Sequence, residues 1–321
     1  MRWIVFLFLG VFSASLAAQE AEPEAQEPAD PNTILQVQIF LDAHLFGPGK
    51  LDGAMGEFTY KAMVNYNFAH GHAELYDWIP VMEAAAAEVP VIFAAFKIKP
   101  DLEKFVNPTL PNKPEEQVNF PYMAYRSYAE LVAERFHTDE TFLTKCNPER
   151  DVTKLKVGDV VVVPNVKSFR IEDVKAMQSF PKDTTLSTHT IVVDTTERMA
   201  AVYSSDEHLL AAFPITPGKP EFIPVGTWSV KTMMTTPSFR YDKQFLEGGG
   251  RGKEAYQIPP GPNSPVGIIW CGLSKSGIGL HGTASPRTIG RSQSAGCVRL
   301  ANWDAIRLPT LVRPDSRVIV R

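Results

Sequence analysis

The sequence predicts a multidomain protein: a small all-α domain, then a small α+β module, then a mostly-β domain of sandwich or barrel type. Three observations predict it. Ile34, Leu35, Ile39 and Leu45 recur near helical spacing. A loop dense in Gly and Asp (Phe46 to Gly56) then leads to a second apolar set at Phe58, Ala62, Met63 and Tyr66. Tyr128 to Phe136 is an amphipathic helical stretch, followed by a short helix from Glu140 to Lys145 and a valine strand from Val160 to Val163. From Thr190 onward, short β-rich runs are separated by Gly, Pro, Asp and Ser turns.

Composition bounds the function. The 321 residues carry Lys+Arg 32 and Asp+Glu 36, a net charge of -4, with 44% hydrophobic residues. That is enough apolar material for packed cores, and too much for a disordered chain. The near-neutral balance argues against a nucleic-acid partner. Cys146, Cys271 and Cys297 are too few for a disulfide scaffold and show no C-x-x-C metal pair. The seven histidines are likewise scattered without metal spacing, so neither a metal nor another cofactor is expected.

The elements follow in order. Met1-Arg2, the apolar run Trp3 to Phe12 and the small residues Ser13 to Ala18 predict a secretory signal peptide over 1–18. Cleavage fits best after Ala17, with Ala18 as the alternative. The apolar run is too short for a bilayer span, and no later one is long enough, so an exported protein without a membrane span is expected. Residues 19–32 form an acidic, Pro-rich linker. Residues 33–72 read as helix, Gly/Asp loop, helix. Leu35-Gln36, Gly47, Gly49, Leu51-Asp52-Gly53, Gly56, Thr59, Ala62 and Tyr66 resemble the peptidoglycan-binding-like domain, with Asn67 where that family usually carries Gln. Residues 73–120 connect, with Met82 to Ala87 favouring helix, Val91 to Phe96 a strand, and no chemistry assigned. Residues 121–166, with the two short helices, Asn147-Pro148, Leu155-x-x-Gly158-Asp159 and the valine strand before Pro164-Asn165, resemble a LysM module. Arg126-Ser127 stands where that family's opening strand is expected. The mostly-β domain occupies 189–321, with strands at 190–194, 200–203, 209–214, 227–232, 267–271 and 317–320, and one helix at 302–308.

The chemistry concentrates in Gly279-Leu280-His281-Gly282-Thr283 and Ala295-Gly296-Cys297-Val298-Arg299-Leu300. A thiol attacks a carbonyl as thiolate, and an imidazole nearby can take its proton. Cys297 as nucleophile and His281 as general base and acid form a self-consistent pair. As an ion pair, they would lower the thiol pKa and raise that of the imidazole. The N–H groups of Gly296 and Cys297 are placed to face an oxyanion. Cys146, on a helix, and Cys271, in an apolar strand, read as buried small hydrophobes.

His-Gly-Thr, Ile289-Gly290 and Ser-x-Gly-Cys-Val-Arg-Leu resemble the signature of the L,D-transpeptidase catalytic family, over roughly 189–321. Pro217-Gly218, Pro224-Val225-Gly226-Thr227 and Pro262-Asn263-Ser264-Pro265-Val266-Gly267 agree with it. The resemblance implies acyl transfer on peptidoglycan stem peptides through a Cys297 acyl-enzyme, in the periplasm or cell wall. Gly282 would orient His281 through its carbonyl. The acceptor would be an amine of a second stem or of an envelope protein. Ser294, Thr283 and Arg299 are candidate substrate-binding residues. Ser294 either bonds near the imidazole or shapes the turn, and Arg299 holds either a stem carboxylate or a structural Asp. Ala295 departs from the family's usual His. Two rivals stand beside this reading: an L,D-carboxypeptidase or amide hydrolase with the same site, and a non-catalytic wall-binding protein. The upstream modules are expected to retain the protein on the wall, leaving the chemistry to a chain beginning near Lys182.

Overall fold

Asp30 and Pro31 start the first helix. A computed structural model of the chain describes residues 30–219, 222, 225–248, 252–292 and 296–321. The expected signal peptide and most of the acidic linker lie outside them. In α1 (Pro31–Ala43) the Asp30 carboxylate caps the helix by accepting from the Thr33 N–H at 2.9 Å, and proline at the first turn loses no bond. The Gly/Asp loop is folded around buried Gln38. Its Oε1 accepts from the Asp52 and Gly53 N–H groups at 3.0 and 2.9 Å, and its Nε2 donates to Thr59 Oγ1 at 3.1 Å. Gly53 needs its left-handed φ of 65°, and a Cβ there would lie 2.7 Å from the Pro31 carbonyl oxygen. Helices α2 (Glu57–Ala69) and α3 (Ile79–Glu88) complete the domain. Trp78, Val81 and Ala85 are fully buried, so the helical domain extends past the expected boundary at 72. The run of small alanines in α3 concealed this, because it carries few large side chains.

The α+β module begins earlier than the sequence suggests. Strand β1 (Phe93–Lys97) is followed by α4 (Pro114–Gln117), α5 (Tyr128–Arg135), α6 (Glu140–Cys146) and β2 (Val160–Pro164). β1 and β2 pair antiparallel from Phe93↔Pro164 to Lys97↔Val160. The opening strand therefore lies in the expected connecting region. Ser127 has another duty: it caps α5, its Oγ accepting from the Glu130 N–H at 3.0 Å. The Asn147 side chain links the Leu143 carbonyl of α6 to both backbone groups of Val162, each at 2.8 Å.

The C-terminal domain contains β3 (Thr190–Asp194), β4 (Met199–Tyr203), β5 (Leu209–Pro214), β6 (Gly226–Thr235), β7 (Phe239–Tyr241), α7 (Lys243–Gly248), β8 (Tyr256–Ile258), β9 (Ile269–Leu273), β10 (Gly279–His281), β11 (Val298–Arg299), α8 (Asn302–Ala305), α9 (Leu308–Leu311) and β12 (Arg317–Val320). Eight strands form one mixed sheet in the order β11-β10-β9-β6-β12-β3-β4-β5, with β7 and β8 apart as a hairpin. Just past β5, Thr216 exchanges backbone bonds of 2.9 and 3.0 Å with Arg299 of β11. The two outer strands thus meet, and the sheet curls nearly closed. The domain is a curled single sheet, not a sandwich, and the expected helix at 302–308 is split into α8 and α9.

The upstream parts pack firmly on this domain. Leu45 and Gly47 bond to the backbone of Ala212 at 3.0 and 2.8 Å, covering the outer edge of β5. Asp42 of α1, fully buried, accepts from Arg307 at 3.2 and 2.6 Å and from His137 Nδ1 at 3.1 Å. Burial alone would raise the Asp42 pKa. Arg307 and His137 outweigh it and hold the carboxyl well below the ordinary range. Asp304 also touches Arg307, at 3.3 Å, but burial pushes its pKa up to about 8. One guanidinium is shared between two buried carboxyls, and with His137 beside it Asp42 is the one whose ionised form is favoured. His137 completes the joint by stacking on Trp303 with ring centroids 5.4 Å apart.

Candidate active site

Three strands assemble the site. Leu280 of β10 pairs with Cys271 of β9 and Val298 of β11, and all three are at most 1% exposed, facing the core. Side chains alternate across a strand. His281 and its register partners Trp270 and Arg299 therefore occupy the opposite face. Cys297, two residues before Arg299, is brought to the same face.

Trp270 stacks on the imidazole, with centroids 5.7 Å apart and planes at 20°. Gly272 and Gly279 make room for it: a Cβ on either would come within 2.7 and 2.9 Å of indole atoms. His281 is buried, and its Nδ1–H donates to the Gly282 carbonyl at 2.6 Å. A carbonyl can only accept, so the proton sits on Nδ1 and the Nε2 lone pair is left for a reacting group. Burial pulls the imidazole pKa down to about 4, the Gly282 bond opposing and the Arg299 charge adding to it.

The Cys297 Sγ donates to the Gly277 carbonyl at 3.6 Å. Burial pushes its pKa up to about 11, against a backbone hydrogen bond at Gly279 and the positive charge of Arg299. These shifts run opposite to those of the expected ion pair. Burial disfavours both charged forms and so favours a neutral thiol and a neutral imidazole in the resting site. Gly296 has a left-handed φ of 115°, and Gly218 packs backbone to backbone on it, where a Cβ would lie 2.5 Å from the Gly296 Cα. Arg299 is partly buried beside the thiol, and among the described residues its Nε has no hydrogen-bond partner.

Of the other expected residues, Thr283 is buried, with its Oγ1 accepting from the Ser285 N–H at 3.2 Å. Its hydroxyl serves the loop. Ser294 and Ala295 lie outside the described residues. Sequence reasoning missed Asn302, whose amide clamps the turn after the histidine. Its Oδ1 accepts from the Ile268 and Thr283 N–H groups, both at 3.2 Å, and its Nδ2 donates to the Thr283 carbonyl at 3.1 Å. It also missed the groove beside the site, a cavity of about 410 Å³ lined by Trp270, Gly277, Met177, Met234 and Arg240. Nothing local in the sequence marks either, because the lining residues meet only on folding. Among the described residues, no group of three or more His, Cys, Asp or Glu is arranged to hold a metal.

This fold and site can be set against known proteins. Residues 188–320 match the YkuD family model, the L,D-transpeptidase catalytic domain. The C-terminal region is an L,D-transpeptidase catalytic domain. "Putative L,D-transpeptidase YkuD" of Bacillus licheniformis is 26% identical over 191 residues, spanning 60% of this chain and 92% of the relative. The protein of the same name in Bacillus subtilis is 42% identical over 59 residues, 18% of this chain and 36% of the relative. Among solved structures, an L,D-transpeptidase from Mycobacterium smegmatis aligns with a TM-score of 0.34 and 17% identity, covering 52% of this chain and 76% of that one. Among the described residues, no helix is long and apolar enough to cross a membrane.

Proposed function

We propose that this protein is a cysteine L,D-transpeptidase that cross-links or remodels peptidoglycan stem peptides outside the cell membrane. The observation that carries the reading is the imidazole whose Nδ1 proton is committed to the Gly282 carbonyl, leaving Nε2 as base on the face that also bears Cys297. In the reaction, the sulfur attacks the carbonyl carbon of the third stem residue while His281 Nε2 takes the thiol proton. The N–H groups of Gly296 and Cys297 receive the oxyanion. As the tetrahedral intermediate collapses, His281 returns that proton to the departing D-alanine amine, leaving a thioester on Cys297. An acceptor amine attacks the thioester, gives its proton to His281, and the amide forms as the thiol is restored. Arg299 holds a stem carboxylate, a role supported by its partly buried, incompletely bonded guanidinium.

Because the resting pair is neutral, proton transfer accompanies attack and does not precede it. The helical and βααβ parts are read as peptidoglycan-binding-like and LysM-like modules that hold glycan near the site, and the amino terminus as an export signal. The test is incubation of the full chain with purified tetrapeptide muropeptides, followed by mass spectrometry. Cross-linked dimers that vanish in Cys297→Ala support the transferase. Shortened monomers alone would replace it with a carboxypeptidase, and no product would exclude both.

A further inference from the structure

The turn that fixes the His281 tautomer is held by a clamp that reaches into the upstream module. Gly282 and Thr283 follow the histidine, and Asn302 bonds to both backbone groups of Thr283. A Cβ at Gly282 or Gly267 would collide with Asn302 Oδ1, so both glycines are shaped around this amide. Asn302 Nδ2 has two further partners: the Pro262 carbonyl at 3.3 Å, in the same domain, and Glu134 Oε1 at 3.0 Å, on α5 of the βααβ module. That same carboxyl oxygen accepts from Tyr125 Oη at 2.8 Å. Beside this clamp, a cavity of about 300 Å³ lies between α5 and Ala284, Ser285, Pro286 and Arg287. The loop carrying the histidine's hydrogen-bond acceptor is thus held in part by polar contacts that reach Glu134, beside the Gly282 N–H bond to the Ile269 carbonyl at 3.3 Å.

We propose that Glu134 is a positioning residue for catalysis: through Asn302 it fixes the Gly282–Thr283 turn that holds His281 in its Nδ1–H tautomer. This rests on the acyl-transfer reading above. It makes the upstream module part of the catalytic apparatus as well as a tether. Glu134 is buried, and the titratable groups facing it are Tyr122 and Tyr125 before α5 and Glu130 one turn earlier, with Arg287 across the cavity. None supplies a paired cation, and burial pushes the Glu134 carboxyl up to about 8. Burial thus favours its protonated form, whose carbonyl oxygen is an acceptor that a glutamine amide can replace.

The test uses the full-length protein and two readouts. Imipenem acylation at Cys297, followed by intact mass at several drug concentrations, separates the maximal rate from the half-saturating concentration. The 15N shifts of the His281 ring report the tautomer directly. Glu134→Ala should lower the maximal rate about tenfold with half-saturation changed less than twofold, since a misplaced base slows chemistry more than binding. The His281 nitrogens should move toward averaged values. Glu134→Gln should restore the rate and both shifts. Tyr125→Phe, which removes the other donor to the same oxygen, should leave both readouts as in the wild type. Should Glu134→Ala fail to fold, Glu134→Asp, one methylene too short to reach Asn302, takes its place with the same expectations. Wild-type rates and ring shifts in the alanine or aspartate variant would overturn the proposal. If the wild type itself takes no imipenem at Cys297, the acyl-transfer reading fails, while the ring shifts still decide whether Glu134 positions His281.

Discussion

Cys271 and Cys297 lie one strand apart, on either side of β10, and burial raises both thiols, to about 12 and about 11. Acidity does not distinguish them. Their surroundings do. Cys271 faces the core beside Leu280 and Val298, with no exposed surface. Cys297 shares its face with His281 and Arg299 and keeps partial access to solvent. On the proposed reading, the nucleophile is selected by the face of the sheet and by a base with an available lone pair rather than by the acidity of the thiol.

The largest expected effect comes from exchanging each cysteine. Cys297→Ala should lower acyl transfer by at least about three orders of magnitude with the fold retained. Cys271→Ala should leave transfer intact and cost roughly 1 kcal/mol of stability, as small core deletions do. Muropeptide assays and denaturant melts of both variants check this contrast, and equal activity loss in the two would remove it. His281→Ala comes next, with an expected loss of about 10²–10⁴-fold in imipenem acylation, the usual worth of a general base.

The pH profiles sharpen the comparison. A neutral imidazole is needed as base, and burial places its pKa near 4, so imipenem acylation should stay flat through neutral pH and fall only as pH drops toward 4. Iodoacetamide, which needs the thiolate, should label Cys297 slowly at pH 7 and faster as pH climbs toward 11. Rapid labelling below pH 8 would restore the ion-pair picture.

The two ends of the molecule differ in legibility. Strands β3, β5 and β12 were legible to the residue, because they are bounded by turn signals and carry β-branched and apolar residues. The glycine-rich neighbours of Cys297 and His281 also marked those two residues locally as candidates. β10 and β11 were not, being three and two residues long. β1 was read as a strand but assigned to a connector, because its partner β2 lies more than sixty residues away in sequence. Glu134 and Asn302 are 168 residues apart and carry no local mark. The direction of both pKa shifts was also illegible, since burial is a property of the folded site.

The joint between parts leads to two smaller effects. A chain beginning at Lys182 loses the cover on β5, the Asp42 partner of Arg307 and the Glu134 partner of Asn302. It should melt well below the full chain, so its activity should be compared only after its fold is verified by circular dichroism. Asp304 is smaller still. With its carboxyl raised to about 8, the native state binds more protons than the unfolded state between about pH 4 and 8, so this group's contribution to stability falls as pH rises through that window. Asp304→Asn should flatten the decline in melting temperature between pH 5 and 8, and an unchanged slope would show that Asp304 is ionised in the native protein.

Imipenem adduct mapping on the full chain at pH 7 shows whether the base and the open face choose Cys297. One adduct per molecule is expected, located on the peptide containing Cys297 and formed at least about a hundredfold more slowly in His281→Ala. An adduct on Cys146 or Cys271, or one at Cys297 that forms at the same rate without His281, would contradict that choice.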